Sequence, residues 1–387
     1  MKKVILVLSL VCAAMSAAGG GIDVQLLDSL LSVKSVSRDK PNLYKAVDTL
    51  RAWLEARGVF CAMETNECGM IALYAATTPG KTHDYLFVSH VDVVPAPDSM
   101  FEPRHDGDWV YARGACDTKG NVVVAAQVLA NLVGKASVGM MIATDEEGGK
   151  IGTATPQMMV DRGYLPRKMV LVGDTAGEEP GQLFVAEKGH ARIRLVAHGK
   201  GGHSSRPWAL DNPIPKLCAG YLKFAEAWAA ENAAATGIWR TVASPTMLEG
   251  SAAGNVVPDT AVMHFSCRFT TMEEYERICD CARRTSGCEV VAPKVPHRLP
   301  VQNREGDPEI AALFAALSAE FPGFRLGRMS AATDATYYVH LGLPIVIFAS
   351  ESYGAHAQDE RGSVSSLHRY ADVLTRYLSS RSVVGKQ

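Results

Sequence analysis

The stretch LFVSHVDVVP (residues 86–95) reads as a buried strand into which a histidine and an aspartate are set two places apart. Burying such groups without partners costs several kcal/mol, so His90 and Asp92 need a reason to be there. On an extended strand, residues two apart face the same side. The pair can therefore act together. The Asp92 carboxylate accepts a hydrogen bond from one ring nitrogen, fixes the tautomer, and leaves the other nitrogen for a metal. A core histidine satisfied by its neighbour is the alternative that this stretch alone leaves open.

Later stretches change the balance. YARGACDTKGN (111–121) places Asp117 in a glycine-flanked turn just before a helix. IATDEEGG (142–149) follows a strand with Asp145, Glu146 and Glu147, and LVGDTAGEE (171–179) ends an apolar run with Asp174. Each acid stands where a strand gives way to a loop, the place where an α/β sheet puts its chemistry. Solvated loop charge explains any single case, but not the whole set. Carboxylates gathered so closely repel unless a cation holds them. SYGAHAQDERG (352–362) adds His356 in a glycine-bearing loop. Two imidazoles and three carboxylates suit two zinc ions roughly 3.5–4 Å apart that share one bridging carboxylate.

Outward from these motifs the chain reads as α/β. Apolar residues at Ala46, Val47, Leu50, Trp53 and Leu54 predict a helix over 42–57, with Gly58 as its stop. Strand-like runs follow at 70–75, 85–94, 138–144 and 169–173, with a helix at 121–132 between them. After Lys188 the texture changes. HARIRLVAHG (190–199) alternates apolar and polar residues, as a one-sided antiparallel strand does. A helix at 214–232, strands at 240–248 and 261–270 and a helix at 272–285 complete a β-α-β-β-α-β order, a small α+β sandwich. The α/β texture returns from about residue 307, with a helix at 308–320, a strand at 344–348 and a helix at 365–379. The expected plan is a catalytic domain (22–189 and 300–387) with a second domain (190–299) inserted into it.

Composition bounds the partners. Of 387 residues, 47% are hydrophobic and 21% charged, as in a globular chain. Lys plus Arg number 39 against 41 Asp plus Glu, and a net charge of −2 gives no electrostatic reason to expect nucleic acid. The opening MKKVILVLSLVCAAMSAAGG has a basic start, an apolar run and a small-residue site. That is the layout of a secretory signal over residues 1–18, with an uncleaved membrane anchor as the alternative. The expectation is an exported protein, periplasmic or secreted, with no membrane attachment after cleavage. Of nine cysteines, Cys12 would leave with the signal. Eight remain, an even number compatible with disulfides; the spacing of Cys279, Cys281 and Cys288 matches no usual zinc pattern, so disulfides or free buried thiols are expected there.

Together these stretches resemble the M20 family of metallopeptidases, which includes carboxypeptidases, dipeptidases, aminoacylases and succinyl-diaminopimelate desuccinylase. The motifs SHVDVVP, YARGACDTKG, DEEGG, GDTAGEE, GKGGHSSRP, GNVVPD, CRF and GAHAQDE occur in family order over nearly the whole mature chain. The resemblance implies a zinc-exopeptidase-like α/β catalytic domain, its central mixed sheet flanked by helices, and an inserted ferredoxin-like lid and dimerisation domain. It implies His90 and Asp174 on one zinc, Glu147 and His356 on the other, and Asp117 bridging, with cobalt or manganese as other possible metals. It gives Asp92 the task of orienting His90, Glu146 that of general base, and His203 that of stabilising the oxyanion from the partner subunit. It also implies a cis peptide after Asp117, and Asn255 and Arg268 as groups that bind the substrate's carboxylate end. An Arg fork suits that task. Cys116 reads as a packing residue and Asp334 as a group near the substrate pocket.

The expected function is hydrolysis of an amide in a small carboxylate-bearing substrate by a homodimeric carboxypeptidase or dipeptidase. An N-acyl-amino-acid deacylase, desuccinylases included, is the alternative with the same site. A non-catalytic peptide-binding homologue is disfavoured because the full ligand set and Glu146 are present. A serine hydrolase fails for want of a nucleophile turn of the GxSxG kind.

Overall fold

The computed structural model describes residues 21–148, 154–175, 177, 179–251 and 253–381; the expected signal segment, 1–18, lies outside them. The chain forms two compact units. Of the described residues, one comprises those up to 185 together with 303–327 and 333–381; the other comprises those within 186–302 and 328–332.

The first unit opens with helix α1 (Val24–Leu31), capped by Asp23, whose carboxylate accepts from the Gln25 and Leu26 amides. Helix α2 (Lys40–Glu55) begins behind Asp39 with Pro41 in its first turn, where a missing N–H costs nothing. It buries Leu43, Ala46, Val47, Leu50 and Leu54, the 3.6-residue stripe read from the sequence. Trp53 is only partly buried, its indole N–H donating to Asp23 at 2.8 Å. Gly58, at φ 79°, turns the chain out of the helix, a conformation that costs glycine least.

The sheet of this unit contains β1 (Phe60–Thr65), β2 (Ile71–Ala76), β3 (Thr82–His90), β4 (Val138–Ala143), β5 (Leu165–Val172) and β6 (Gln182–Glu187). A late strand, Ile345–Ile347, lies between β5 and β6, and these seven strands run in the order β1-β2-β4-β3-β5-(345–347)-β6. The sheet is mixed. β3 runs parallel to β4 and β5, and 345–347 runs parallel to β5, whereas β1, β2 and β6 pair antiparallel. β2 and β4 are buried at every position, as sheet interiors covered on both faces are. Helices α3 (Lys119–Leu132) and α4 (Thr155–Asp161) follow within the first half of this unit. Nearly every residue of α3 is buried, including Val122, Val123, Ala126 and Leu129 in the core.

The second unit has strands β7 (Gly189–His198), β8 (Val242–Glu249), β9 (Thr260–Phe269) and β10 (Glu289–Val291) with helices α5 (Pro213–Glu231) and α6 (Met272–Thr285). The strand order is β8-β9-β7-β10 and every pair is antiparallel, the ferredoxin-like arrangement. Ala191, Ile193 and Leu195 of β7 and Phe265 and Cys267 of β9 bury one face with Leu217, Phe224 and Trp228 of α5 and Ile278 and Ala282 of α6. Gly189 is required where it stands, because a Cβ there would meet the Phe269 ring at 2.2 Å. Helices α7 (Pro308–Glu320) and α8 (Val364–Arg381) return to the first unit. All eight cysteines among the described residues are free thiols; Cys116, Cys267, Cys279 and Cys281 are buried, whereas Cys68 and Cys218 are exposed.

Candidate functional site

The parallel strands of the first unit end together. The register sets His90, the last residue of β3, beside Ala143 of β4. On the other side of β3, Val88 lies opposite Val172, two residues before Asp174. The backbone continues the ladder past the strand ends, with Val91 N–H donating to Ala143 and Gly173 N–H to Val88. The sheet alone thus gathers the polar residues that follow three of its strands. Asp117 arrives from the turn before α3, where the Asp117–Thr118 peptide is cis. Thr118 Oγ1 and Ser89 Oγ both donate to the Gly173 carbonyl, at 2.5 and 3.1 Å, so the turn, β3 and the strand before Asp174 are tied at one oxygen.

Two groups of ligand-type atoms result. His90, Asp117 and Asp174 form the first, all buried. His90 Nε2 stands 3.2 Å from Asp117 Oδ1 and 3.7 Å from Asp174 Oδ2. Asp117, Glu147 and His356 form the second, with His356 Nε2 at 3.2 Å from Asp117 Oδ2 and 2.9 Å from Glu147 Oε1. Each Asp117 oxygen faces a different imidazole. His90 Nε2 and Asp117 Oδ1 are both buried and, despite their proximity, neither has a hydrogen-bond partner of acceptable geometry among the described residues. Buried polar atoms are rarely left so, and a cation between them accounts for both.

The electrostatics agree. Hydrogen bonds to Asp117 and Glu147 raise the His356 imidazole to about 10. Burial works against a charged His90, yet Asp117 and Asp92 outweigh it and hold the ring well above its ordinary value. Burial likewise works to raise Asp117, but His356 and His90 keep its carboxyl well below the usual range. The nest stabilises positive charge wherever it is offered. Its mixed nitrogen and oxygen donors suit zinc or a neighbouring divalent metal.

Asp92 differs from expectation. The His90 Nδ1 hydrogen bond goes to the Asp92 main-chain carbonyl at 2.9 Å, with the carboxylate farther off at 3.4 Å. The carboxylate instead accepts from the Glu146 amide at 3.1 Å, the Glu147 amide at 3.0 Å and Ser37 Oγ at 2.8 Å. The reason is geometric: past the end of β3 the strand no longer alternates, and the side chain turns toward the loop after β4. Asp145, third of the acids, belongs to neither group. Thr155 donates to it through both amide and hydroxyl, and burial, with Asp334 nearby, raises it to about 7. Asp334 is buried and also belongs to neither group. Cys116 is buried, and burial pushes its thiol up to about 12, so it packs as a neutral side chain.

Sequence reasoning missed the two residues that join the Asp117 turn to the His356 loop. Glu360 is fully buried, and its Oε1 accepts from the amides of Gly114, Cys116 and Asp117 at 2.9, 3.0 and 3.0 Å. Its Oε2 pairs with Arg113, whose Nη2 donates to the carbonyls of His356 and Ala357 at 3.1 and 3.2 Å. In the sequence Glu360 looks like one more charge in a polar loop. The only signal was that the loop must be held somehow.

His203, Asn255 and Arg268 lie in the second unit. A two-residue ladder pairs His203 with Val256, and the Ser204 amide donates to the Asn255 carbonyl at 3.0 Å. The Ser205 amide donates to His203 Nδ1 at 3.2 Å, which places the neutral ring's proton on Nε2. Arg268 lies on β9 opposite His190 and Val242.

A central mixed sheet, a ferredoxin-like unit and paired nitrogen–oxygen ligand groups at parallel strand ends define a metallohydrolase architecture. The chain belongs to peptidase family M20/M25/M40, whose model matches residues 86–380. The family's members are metallopeptidases and amidohydrolases, and this chain is an enzyme of that type. It is 27% identical over 310 residues to a succinyl-diaminopimelate desuccinylase of Sphingopyxis alaskensis, covering 75% of this chain and 80% of the relative. In structure it is similar to aminopeptidase PepT from Bacillus cereus, with a TM-score of 0.73 at 17% identity over 92% of this chain and 98% of that one. It is also similar to an M20 family metallo-carboxypeptidase from Sulfolobus solfataricus, with a TM-score of 0.70 at 16% identity over 92% and 98%.

Proposed function

We propose that this chain hydrolyses the amide bond of small, carboxylate-bearing substrates with two divalent cations, zinc by preference. The observation that carries the reading is the position of Asp117, with one oxygen in each ligand group. His90, Asp117 and Asp174 would hold one cation, and Asp117, Glu147 and His356 the other. When bound, the pair would supply Lewis acidity toward the carbonyl and toward an attacking water.

The remaining work falls to side chains. Glu147 is committed to His356, whereas its neighbour Glu146 belongs to neither group. In this reading Glu146 takes the proton of the attacking water and returns it to the leaving amine. His203, with Nε2 as its donor, would stabilise the oxyanion, and Asn255 and Arg268 would bind the substrate's carboxylate end.

Two substrate classes fit this chemistry. The exopeptidase class, carboxypeptidase or dipeptidase, is supported by the peptidases among the structural neighbours. The N-acyl-amino-acid class is supported to a comparable degree by the desuccinylases among the curated relatives. The test is a screen of zinc-loaded protein against dipeptides and N-acyl amino acids, N-succinyl ones included, read by released amine. Activity should vanish on chelation and return with zinc. Failure on every amide in both classes would overturn the reading.

The proposal extends to export through the leader at 1–18 and to a homodimer formed through the second unit. Supporting the latter, β8 pairs only with β9 among the described residues and exposes Met247 and Leu248. A monomer that is fully active in dilute solution would count against it.

A further inference from the structure

We propose that the buried Arg113–Glu360 ion pair is a device that positions the His356 loop against the Asp117 turn, so that its loss weighs chiefly on the ligand group built from Asp117, Glu147 and His356. The inference rests on the two-cation reading above.

The chain of contacts is short and complete. Glu360 Oε1 gathers three amide donors of the turn that carries Asp117, at Gly114, Cys116 and Asp117. Its other oxygen faces Arg113, and both side chains are almost wholly withdrawn from solvent, at 4% and 0% exposure. Arg113 then spends its second terminal nitrogen on the His356 and Ala357 carbonyls. A planar guanidinium can serve a carboxylate and two carbonyls at once, a reach that an ammonium lacks. One residue pair therefore spans from the backbone of Asp117 to the backbone of His356. The span matters because His356 stands in the loop of a hairpin, beyond its last ladder pair, Tyr353 with Arg361. Its φ is 64°, in the left-handed region, and its side chain is 51% exposed. A residue held in that conformation persists only where its surroundings over-determine it.

The remaining two members of the other group, His90 and Asp174, have support independent of the pair. His90 ends β3, and Asp174 follows β5 through Gly173, whose amide and carbonyl are both engaged. Loss of the pair should leave that half of the site in place.

The test is metal binding, followed by calorimetric titration of metal-free protein with Zn2+ and by the absorption spectrum on titration with Co2+, with folding checked by circular dichroism. Wild type should take two equivalents. Glu360→Gln should keep one equivalent within about threefold of the wild-type affinity and weaken the other at least about tenfold, in the range seen when the groups that orient metal ligands are lost. The cobalt spectrum of the variant should be that of a single ion. Should Glu360→Gln not fold, Arg113→Lys decides. It keeps a cation against Glu360 but removes the fork to the His356 loop, and it should show the same selective loss. Two intact equivalents in a folded variant, parallel weakening of both, or loss of fold in both variants would overturn the inference. A wild type that binds fewer than two equivalents would instead defeat the two-cation reading itself.

Discussion

The two ligand groups share Asp117 but stand on different foundations. His90 ends and Asp174 follows a strand whose register is fixed by a hydrogen-bonded ladder on both sides, and all three members of their group are buried. Glu147 and His356 come from loops. The Glu147 amide is tied to Asp92, and the His356 carbonyl to Arg113. Strand-end ligands inherit their precision from the sheet, whereas loop ligands need dedicated buried polar partners. Asp92, Arg113 and Glu360 are the buried charges that meet this need.

The largest effect should come from abolishing the difference. Asp117→Ala removes an oxygen from both groups, so both metal equivalents should be lost and activity should fall by more than about 10^3-fold, the scale seen when a member of a catalytic unit is deleted. Retention of either equivalent would show that Asp117 is not shared. Next, Glu146→Ala should lower kcat by about 10^2–10^4-fold while both equivalents remain measurable. Its full activity would remove Glu146 from the chemistry.

A smaller effect distinguishes the supports. Asp92→Asn keeps the carbonyl that holds His90 but weakens the acceptor for the Glu146 and Glu147 amides. Metal affinity should fall about 10–100-fold at the loop-built group, with the strand-built group little changed in the same titration.

The smallest effect contrasts two histidines. His90 lies among carboxylates and is pushed up. His190, in the second unit, is pushed down to about 4 by burial first and then by Arg268, His297, Arg192 and Arg298. Ser266 Oγ at 3.2 Å is its hydrogen-bond partner. Because its folded value lies below the ordinary 6.5, the unfolded chain binds the proton first as pH falls. Stability should therefore decline from about pH 6.5 and level off near pH 4, by about 1 kcal/mol once partial solvent screening is allowed for. His190→Gln should unfold with a weaker dependence on pH across that window, by thermal melts at matched ionic strength. An identical pH profile would mean that His190 is not held neutral.

The sequence revealed the fold where burial is continuous or periodic. The stripe of α2, the apolar runs of β3, β4 and β5, and the alternation of β7 are all visible in the letters. β1, FCAMET, escaped because it is partly exposed on both faces and shows no clean period. Two-residue strands such as Gly202–His203 are too short to carry one. At the site, each ligand stood out as a polar residue at the end of an apolar run or in a glycine-bearing loop. The supports did not. Arg113 and Glu360 meet across 247 residues of chain, and nothing local distinguishes a buried charge pair from two solvated ones. The division of labour within Asp92, main chain to the histidine and side chain to the acids, is invisible to any argument from strand alternation.

A single carboxylate with an oxygen in each half of the site also couples their occupancies. Whatever charge settles against one oxygen alters the basicity of the other, and reciprocity requires the same factor in both directions. In the two-cation reading, the two halves would therefore not fill as independent compartments. In that reading the dose-response of activity to added metal should depart from a simple hyperbola, and Asp117→Ala should abolish the departure along with the binding.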